Sequence, residues 1–422
     1  LYRGQNGFSY YGASLGTAVD LAYFYGNKDP QLLSIVEKQG QVLLQESGLA
    51  AAIGVRDGKA KPYLKGSVNL SDGINGKQGG IGVLRHGNED LTLVFKYAAQ
   101  GLSHGHYDKL SFSLYEKGEE VLQDYGLARF VNIEQKGGGN YLKENTTWAK
   151  TTIAHNTLSI NQQKHFGGVY DVASQHHSEL FTFDASKDNV KVVSATEENA
   201  YPGTFMHRTM AVIKEESFEK AYLLDIMRVT SDSENQYDLP FYYLGQVIDN
   251  NFDYQSPTSL HPLGEENGYQ HLYVEGKGSA VEGNTKFSWL GAGKYYTLTM
   301  LTDAQDDIYL TRIGANDPEF NLRREAGIML RREKTQDTVF VSVVEPHGSY
   351  SPVSESSKNS KSSIAKLELV LNSAKYTGVS IVDVKGKTQL FIIANSDNSD
   401  TAEHAVTIDG ETYRWTGPYF YQ

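Results

Sequence analysis

The densest run of chemically versatile side chains in this 422-residue sequence is Ser103-His104-Gly105-His106-Tyr107-Asp108-Lys109. His104 and His106 are two residues apart. In a strand that starts early enough they would point to one face, a spacing that suits two ligands of one metal or two groups of one site. Asp124 follows the apolar pair Val121-Leu122, and His155 sits in the β-branched run Thr152-Ile153-Ala154-His155-Asn156-Thr157. A single histidine in a strand is more often a satisfied core residue than a ligand. Converging from neighbouring strands, however, His106, Asp124 and His155 would offer two imidazoles and a carboxylate, compatible with Zn2+ carrying a water as fourth ligand. These residues alone leave open whether such a metal is catalytic or structural.

A second cluster runs from Gly126 to Asn145. Gly137, Gly138 and Gly139 form a loop able to bring backbone close to a ligand, with Arg129 before it and Tyr141 just after it. Arginine can hold a carboxylate through two parallel hydrogen bonds. A tyrosine beside positive charge ionises more readily and can donate or accept a proton. Asn145, at the end of the same string, is a further candidate for substrate binding. The alternative reading is an ordinary surface loop with a stacking tyrosine.

These residues need a scaffold, and the hydrophobic pattern predicts a mainly β one. From Tyr10 to about Glu46 the spacing is helical, with Asp29-Pro30 reading as an N-cap followed by proline in the first helical position. Two helices cannot bury both faces, so they are expected to be the end of a larger helical domain. After the stretch 54–66 the period changes to two. Strand-like runs follow at Ile81–Arg85, Leu91–Lys96, Leu110–Tyr115, Thr152–Ile160 and Glu179–Phe183, and continue through Met210–Lys214, Ala221–Val229, Tyr296–Leu301 and Thr338–Val344. Turns such as Glu116-Lys117-Gly118-Glu119 suit antiparallel hairpins. The serine-rich stretch 348–363 reads as a mobile loop or boundary before a smaller terminal β unit. The expected division is 1–65, 66–348 and 349–422.

Composition narrows the partners. The formal net charge is −12, which argues against nucleic acid and anionic membranes. No apolar run is long enough to span a membrane. The 28 Tyr and 17 Phe suit sheets, and some could stack on sugar rings. With no cysteine, any metal must be held by histidine and carboxylate. Within this acidic chain, residues 126–170 carry five basic side chains (Arg129, Lys136, Lys143, Lys150 and Lys164) against Glu134 and Glu144, an island that suits an anionic ligand.

The joined strings SHGHYDKLSFSLYEKGEEVLQDYGLARF and GGGNYLKENTTWAKTTIAHNTLSI resemble the heparinase II/III-like polysaccharide lyases, most closely the alginate and oligoalginate lyases of polysaccharide lyase family 17. The resemblance is strong from about Gly101 to Asn161 and architectural elsewhere. It implies an incomplete (α/α) toroid followed by multi-layer antiparallel β-sheet or β-sandwich domains, with the substrate cleft between them. It also implies that His106, Asp124 and His155 match the family's zinc ligands, that Tyr141 matches an active-site tyrosine and Arg129 a uronate-binding arginine, and that His104 lies at the same cleft. The family's Asn-His pair and principal catalytic tyrosine sit in the toroid, and nothing in Leu1 to Glu46 matches them. They are therefore expected in a preceding region.

The implied chemistry is β-elimination from a 4-linked uronate. The carboxylate must be neutralised, a base must take the C5 proton, and an acid must protonate the leaving oxygen. On this reading Arg129 and His104 handle the anionic sugar, Tyr141 lines the reacting bond, and the zinc is mainly structural. A periplasmic or secreted setting and a homodimer go with it. The alternatives are a lyase of heparin-type glycosaminoglycans, a non-catalytic carbohydrate-binding β module, or a metallohydrolase. Sulfated substrates should demand more basic residues than the island provides, a binding module has no need of the histidine motifs, and no carboxylate base in an HExxH-like motif accompanies the ligands.

Overall fold

Alternating apolar residues dominate the chain after Gly66, and the computed structural model turns them into stacked antiparallel sheets. It describes residues 12–87, 90–101, 104–126, 129–133, 135–139, 141–315, 317 and 319–422. The expected helix start at Tyr10, together with Ser103, Glu134 and Asn140 of the motifs above, lies outside the described residues. Two units are distinguished, Leu1–Gly66 and Ser67–Gln422.

Among its described residues the first unit holds three helices rather than the two expected: α1 (Ala13–Tyr25), α2 (Pro30–Gln39) and α3 (Glu46–Arg56). Asp29 caps α2 by accepting from the amide of Gln31 at 2.9 Å, with Pro30 at the first helical position and Gly40 left-handed at the end. Helix α3 hides in a small-residue run, and its Gly54 shows why. A Cβ there would come within 2.7 Å of the Leu33 side chain and 3.0 Å of the Tyr23 hydroxyl, so the helices approach too closely for any larger residue.

In the second unit a five-stranded sheet runs in sequence order: β1 (Val68–Ser71), β2 (Gly80–His86), β3 (Leu91–Lys96), β4 (Ser111–Glu116) and β5 (Glu119–Leu122). Lys117 and Gly118 both take positive φ in the β4–β5 turn, as a tight hairpin demands. The short β6 (Ser159–Ile160) joins a six-stranded sheet through β11 (Asn235–Phe241). An eight-stranded sheet contains β7 (Glu179–Asp184), β8 (Val190–Glu197), β9 (Thr204–Ile213) and β10 (Tyr222–Ser231), and continues from β10 through Thr338–His347 and Lys294–Thr302.

This eight-stranded sheet is apolar on both faces. Leu223, Met227 and Val229 of β10 enter a core shared with Phe95, Phe112 and Leu114 of the five-stranded sheet. Tyr222, Leu224 and Ile226 face the other way, against Ile364, Val379, Ile381 and Phe391 of a terminal four-stranded sheet. The serine-rich stretch is not all loop, since it contains the hairpin Ser349–Ser351 with Ser356–Lys358.

One charged pair sits inside the first of these cores. Arg208 of β9 and Asp225 of β10 are fully buried, bonded through Nε to Oδ1 at 2.8 Å and Nη2 to Oδ2 at 2.6 Å. The remaining guanidinium nitrogen donates to the carbonyls of Leu110 and Asn156, each at 2.7 Å. Removing one partner of such a pair leaves an uncompensated buried charge, at a cost of about 3–5 kcal/mol. Asp225→Ala is therefore expected to lower the unfolding free energy by about that amount, measured by urea denaturation. A variant that unfolds at the wild-type midpoint would deny the pair this role.

Candidate active site

The two carbonyls held by Arg208 belong to the two irregular segments that carry the histidine motifs. Leu110, just before β4, has a left-handed φ of 58°, unusual for a branched side chain. The run predicted as a strand, Thr152–Ile160, is one only at its end, Ser159–Ile160, and the segment 145–157 before it is irregular. It forms a π-helical turn at Asn145–Ala149 and a 3-10 turn at Thr152–Ala154, and is extended at His155. Side chains supply the hydrogen bonds that a sheet ladder would have given. Asn156 donates to the carbonyls of Phe112 (2.9 Å) and Gln123 (2.7 Å) and accepts from the amide of Tyr242 (2.9 Å). Thr157 donates to the Lys109 carbonyl and Thr152 to that of Tyr107, each at 2.6 Å. His155 is thereby pinned against the β4–β5 hairpin, which has His106 and Asp108 before it and Asp124 after it.

The ligand atoms of His106, Asp108 and His155 lie within 4.8 Å of one another, and the two imidazole centroids are 5.1 Å apart. Asp124 adds a fourth group, with Oδ1 2.5 Å from Nδ1 of His155. Asp108 is buried, and both its oxygens accept from Lys96 Nζ at 2.7 and 2.6 Å. Burial opposes its ionisation, yet Lys96, then His155 and His106, hold its carboxyl far below the usual range. Burial, followed by the neighbouring His155, pushes His106 down to about 4. For His155 burial also disfavours charge, but Asp124 and Asp108 outweigh it and raise its pKa.

The hydrogen bonds of His155 test whether this cluster fits a metal. Its Nε2 lies 3.1 Å from the Ala149 carbonyl, which can only accept, so that nitrogen carries the proton. Nδ1 then faces the Asp124 carboxylate, a second pure acceptor, and at 2.5 Å the contact requires a proton between them, which a metal held by both groups would replace. A backbone carbonyl that fixes the tautomer of a ligating histidine is the usual outer support of a metal site. The donor set of two imidazoles and a carboxylate suits zinc. The carboxylate that converges with both imidazoles is that of Asp108, which Lys96 also neutralises, whereas Asp124 reaches the cluster through His155.

The remaining candidates are distributed differently from the sequence reading. His104 is exposed and outside the cluster, because β4 begins only at Ser111 and the two histidines do not share a strand face. Tyr141 is 97% exposed, beyond Gly137, Gly138 and Gly139, all left-handed. A Cβ on Gly139 would meet the Phe130 ring at 2.8 Å. Asn145 is buried at the start of the π-helical turn.

Arg129 departs most from expectation. It is 3% exposed, with Nε and Nη2 bonded to the two oxygens of Glu325 (3.0 and 2.7 Å) and Nη1 to Glu120 (2.8 Å). Those carboxylates engage the guanidinium fork, and in this structure Arg129 clamps two segments together. The basic island is likewise answered by partners from elsewhere. Lys136 donates to Asn321 Oδ1 at 2.6 Å, and Lys143 lies 3.4 Å from Glu319. Sequence reasoning passed over Asp108, although it stands two residues after His106. It had no signal for Lys96, Asn156 or Arg208, whose roles depend on tertiary neighbours.

Comparisons with known proteins give this sheet-based domain its family. The description "Heparinase II/III-like, C-terminal" matches residues 69–352, and the chain belongs to this family. It is 37% identical over 393 residues to an alginate lyase of Stenotrophomonas maltophilia (strain K279a), covering 93% of this chain and 53% of that protein. It is 36% identical over 395 residues to an exo-oligoalginate lyase of Saccharophagus degradans, covering 92% and 53%. The chain thus spans about half the length of these relatives. Among solved structures, heparan sulfate lyase HepC from Pedobacter heparinus superposes with a TM-score of 0.53 at 16% identity, covering 83% of this chain and 46% of that one. A heparinase III gives 0.52 at 13% identity, covering 86% and 47%. At these identities the likeness is one of fold.

The clamp reading of Arg129 has a direct consequence. Arg129→Ala leaves Glu325 and Glu120 without their shared cation and should destabilise the protein by on the order of 3 kcal/mol, seen as a lower thermal midpoint. Unchanged stability with weakened substrate binding would restore the uronate-binding role.

Proposed function

We propose that this chain is part of a polysaccharide lyase that cleaves alginate or oligoalginate by β-elimination, giving unsaturated uronate ends. The observation that carries this reading is the likeness, over more than nine-tenths of the chain, to two proteins named for alginate and oligoalginate cleavage. The geometry supports it with Tyr141 fully presented to solvent, on a loop that follows closely on Asp124 in the chain. Elimination needs a group at the carboxylate, a base for the C5 proton and an acid for the leaving oxygen. Tyr141 contributes its phenol at the reacting bond, and His104, exposed two residues from the cluster, helps bind the anionic sugar. The principal acid and base are supplied by the helical region that the resemblance places before these sheets. Because alginate is met outside the cytoplasm, the same reading puts the protein in the periplasm or outside the cell.

His106, Asp124 and His155 are the residues that would hold a zinc ion, with Asp108, neutralised by Lys96, beside both imidazoles. When bound, the ion would supply the positive charge that His155 and Asp124 share, tying the ends of the β4–β5 hairpin to the 145–157 segment. Its role on this reading is mainly structural. About one equivalent of zinc is expected in the purified protein, lost together with several degrees of thermal midpoint in His155→Ala. A wild type that is metal-free and equally stable after chelation removes the assignment.

The function is tested in the full-length protein by the ultraviolet absorbance of the unsaturated product, with alginate, oligoalginate and heparin in parallel. Absorbance should rise with the first two only, and Tyr141→Phe should slow it by about ten-fold, the loss of one hydrogen bond at the reacting bond. A rise with heparin alone, or with none of the three, overturns the reading.

A further inference from the structure

The loop that follows the strand Asp307–Ile313 presents an aromatic side chain that packing does not explain. Phe320 is 63% exposed and has a left-handed φ of 54°, a conformation that a bulky side chain keeps only under constraint. The constraint is visible. Both carboxylate oxygens of Asp317 accept backbone amides, from Glu319 at 3.1 Å, Asn321 at 2.5 Å and Leu322 at 2.9 Å, while Leu322 is anchored in the core. Asn321 and Leu322 are drawn inward and Phe320 is turned out.

Exposed Arg324 lies with its guanidinium 5.7 Å from the centre of the Phe320 ring and makes no ion pair among the described residues. Three contacts fasten this loop to the one bearing Tyr141. Lys136 donates to the Phe320 carbonyl (3.1 Å), the Val131 amide to the Asn321 carbonyl (2.8 Å), and Asn321 Nδ2 to Glu144 (2.9 Å).

An aromatic face with a stacked, unpaired guanidinium matches the two chemical features of a single uronate ring. The apolar C–H face of the pyranose can lie on the phenyl ring, and the carboxylate at its edge can take the guanidinium fork, which stays available while the cation is stacked. The fork of Arg129, by contrast, is engaged by Glu325 and Glu120. We propose that Phe320 and Arg324 form a subsite that binds one uronate ring of the polymer beside Tyr141 and so sets affinity for the anionic chain. This deepens the lyase reading and rests on it.

The test uses the full-length protein with Phe320→Gly, Arg324→Ala and wild type. Glycine accepts the left-handed backbone, so Phe320→Gly should keep the thermal midpoint while removing the ring. Each variant is expected to raise KM for oligoalginate, and the calorimetric Kd for an oligomannuronate, by about ten-fold, with the loss falling on KM rather than kcat. Wild type should bind the oligomannuronate more tightly than its carboxyl-reduced, neutral form, and Arg324→Ala should shrink that preference by about ten-fold.

Unchanged KM and Kd in both variants, at retained thermal midpoints, overturn the subsite while leaving the lyase reading intact. Binding without turnover by the wild type sinks the lyase reading, and the Kd comparison then still decides the subsite. A wild type that neither binds nor cleaves uronate oligosaccharides overturns both.

Discussion

A buried arginine with all three guanidinium nitrogens engaged is what allows this protein to place irregular backbone inside a sheet stack. Arg208 projects from the eight-stranded sheet into a core of Met206, Met210, Leu223 and Met227, where an unpaired guanidinium would be untenable. Asp225 takes two of its nitrogens and the carbonyls of Leu110 and Asn156 take the third, while the Phe112 ring lies 4.7 Å from its centre. Those carbonyls belong to segments that leave the sheet ladder and would otherwise have buried their acceptors without partners. The pair thus converts an electrostatic liability into the support for both halves of the histidine-carboxylate cluster.

How much of this was legible depends on whether the signal was local. Strands such as β2, β3, β4 and β10 were readable because their apolar residues alternate or run continuously into cores, and the Asp29-Pro30 helix start because capping acts over two residues. The run at Thr152–Thr157 was misread because β-branched composition reports a preference for pleated surfaces, whereas here Thr152, Asn156 and Thr157 each spend a side-chain hydrogen bond on the backbone of another segment. His106, Asp124 and His155 could still be picked as a set by residue type and resemblance. What escaped was the means of support, two loops and an irregular turn in place of three strands.

Charge shows the same limit from another side. A window of sequence counted a basic island, but folding brings Glu120, Glu319 and Glu325 to it from both directions along the chain. The surplus that suggested an anion site is largely consumed inside the structure. Net charge over a window describes solvation and association only when the fold leaves that window unpaired, and Arg129, the most suggestive residue of the island, is the most completely paired.

The cluster and the exposed loop therefore divide their work by depth. His155 has no exposed surface and both ring nitrogens are engaged, so a polymer cannot touch it, and whatever it contributes reaches the surface through backbone. Asp124, whose side chain is 37% exposed, is the member through which the cluster meets solvent. The chain then leads within a few residues to the Arg129 clamp and the glycine loop that ends at Tyr141. A cation bound below would fix where that loop begins, the clamp to Glu325 would fix its neighbour, and Tyr141 would be aimed by both without being held by either. On the lyase reading, that arrangement suits a group that meets a long, anionic, variable polymer, because the precision lies in the buried tier and the adaptability in the exposed one.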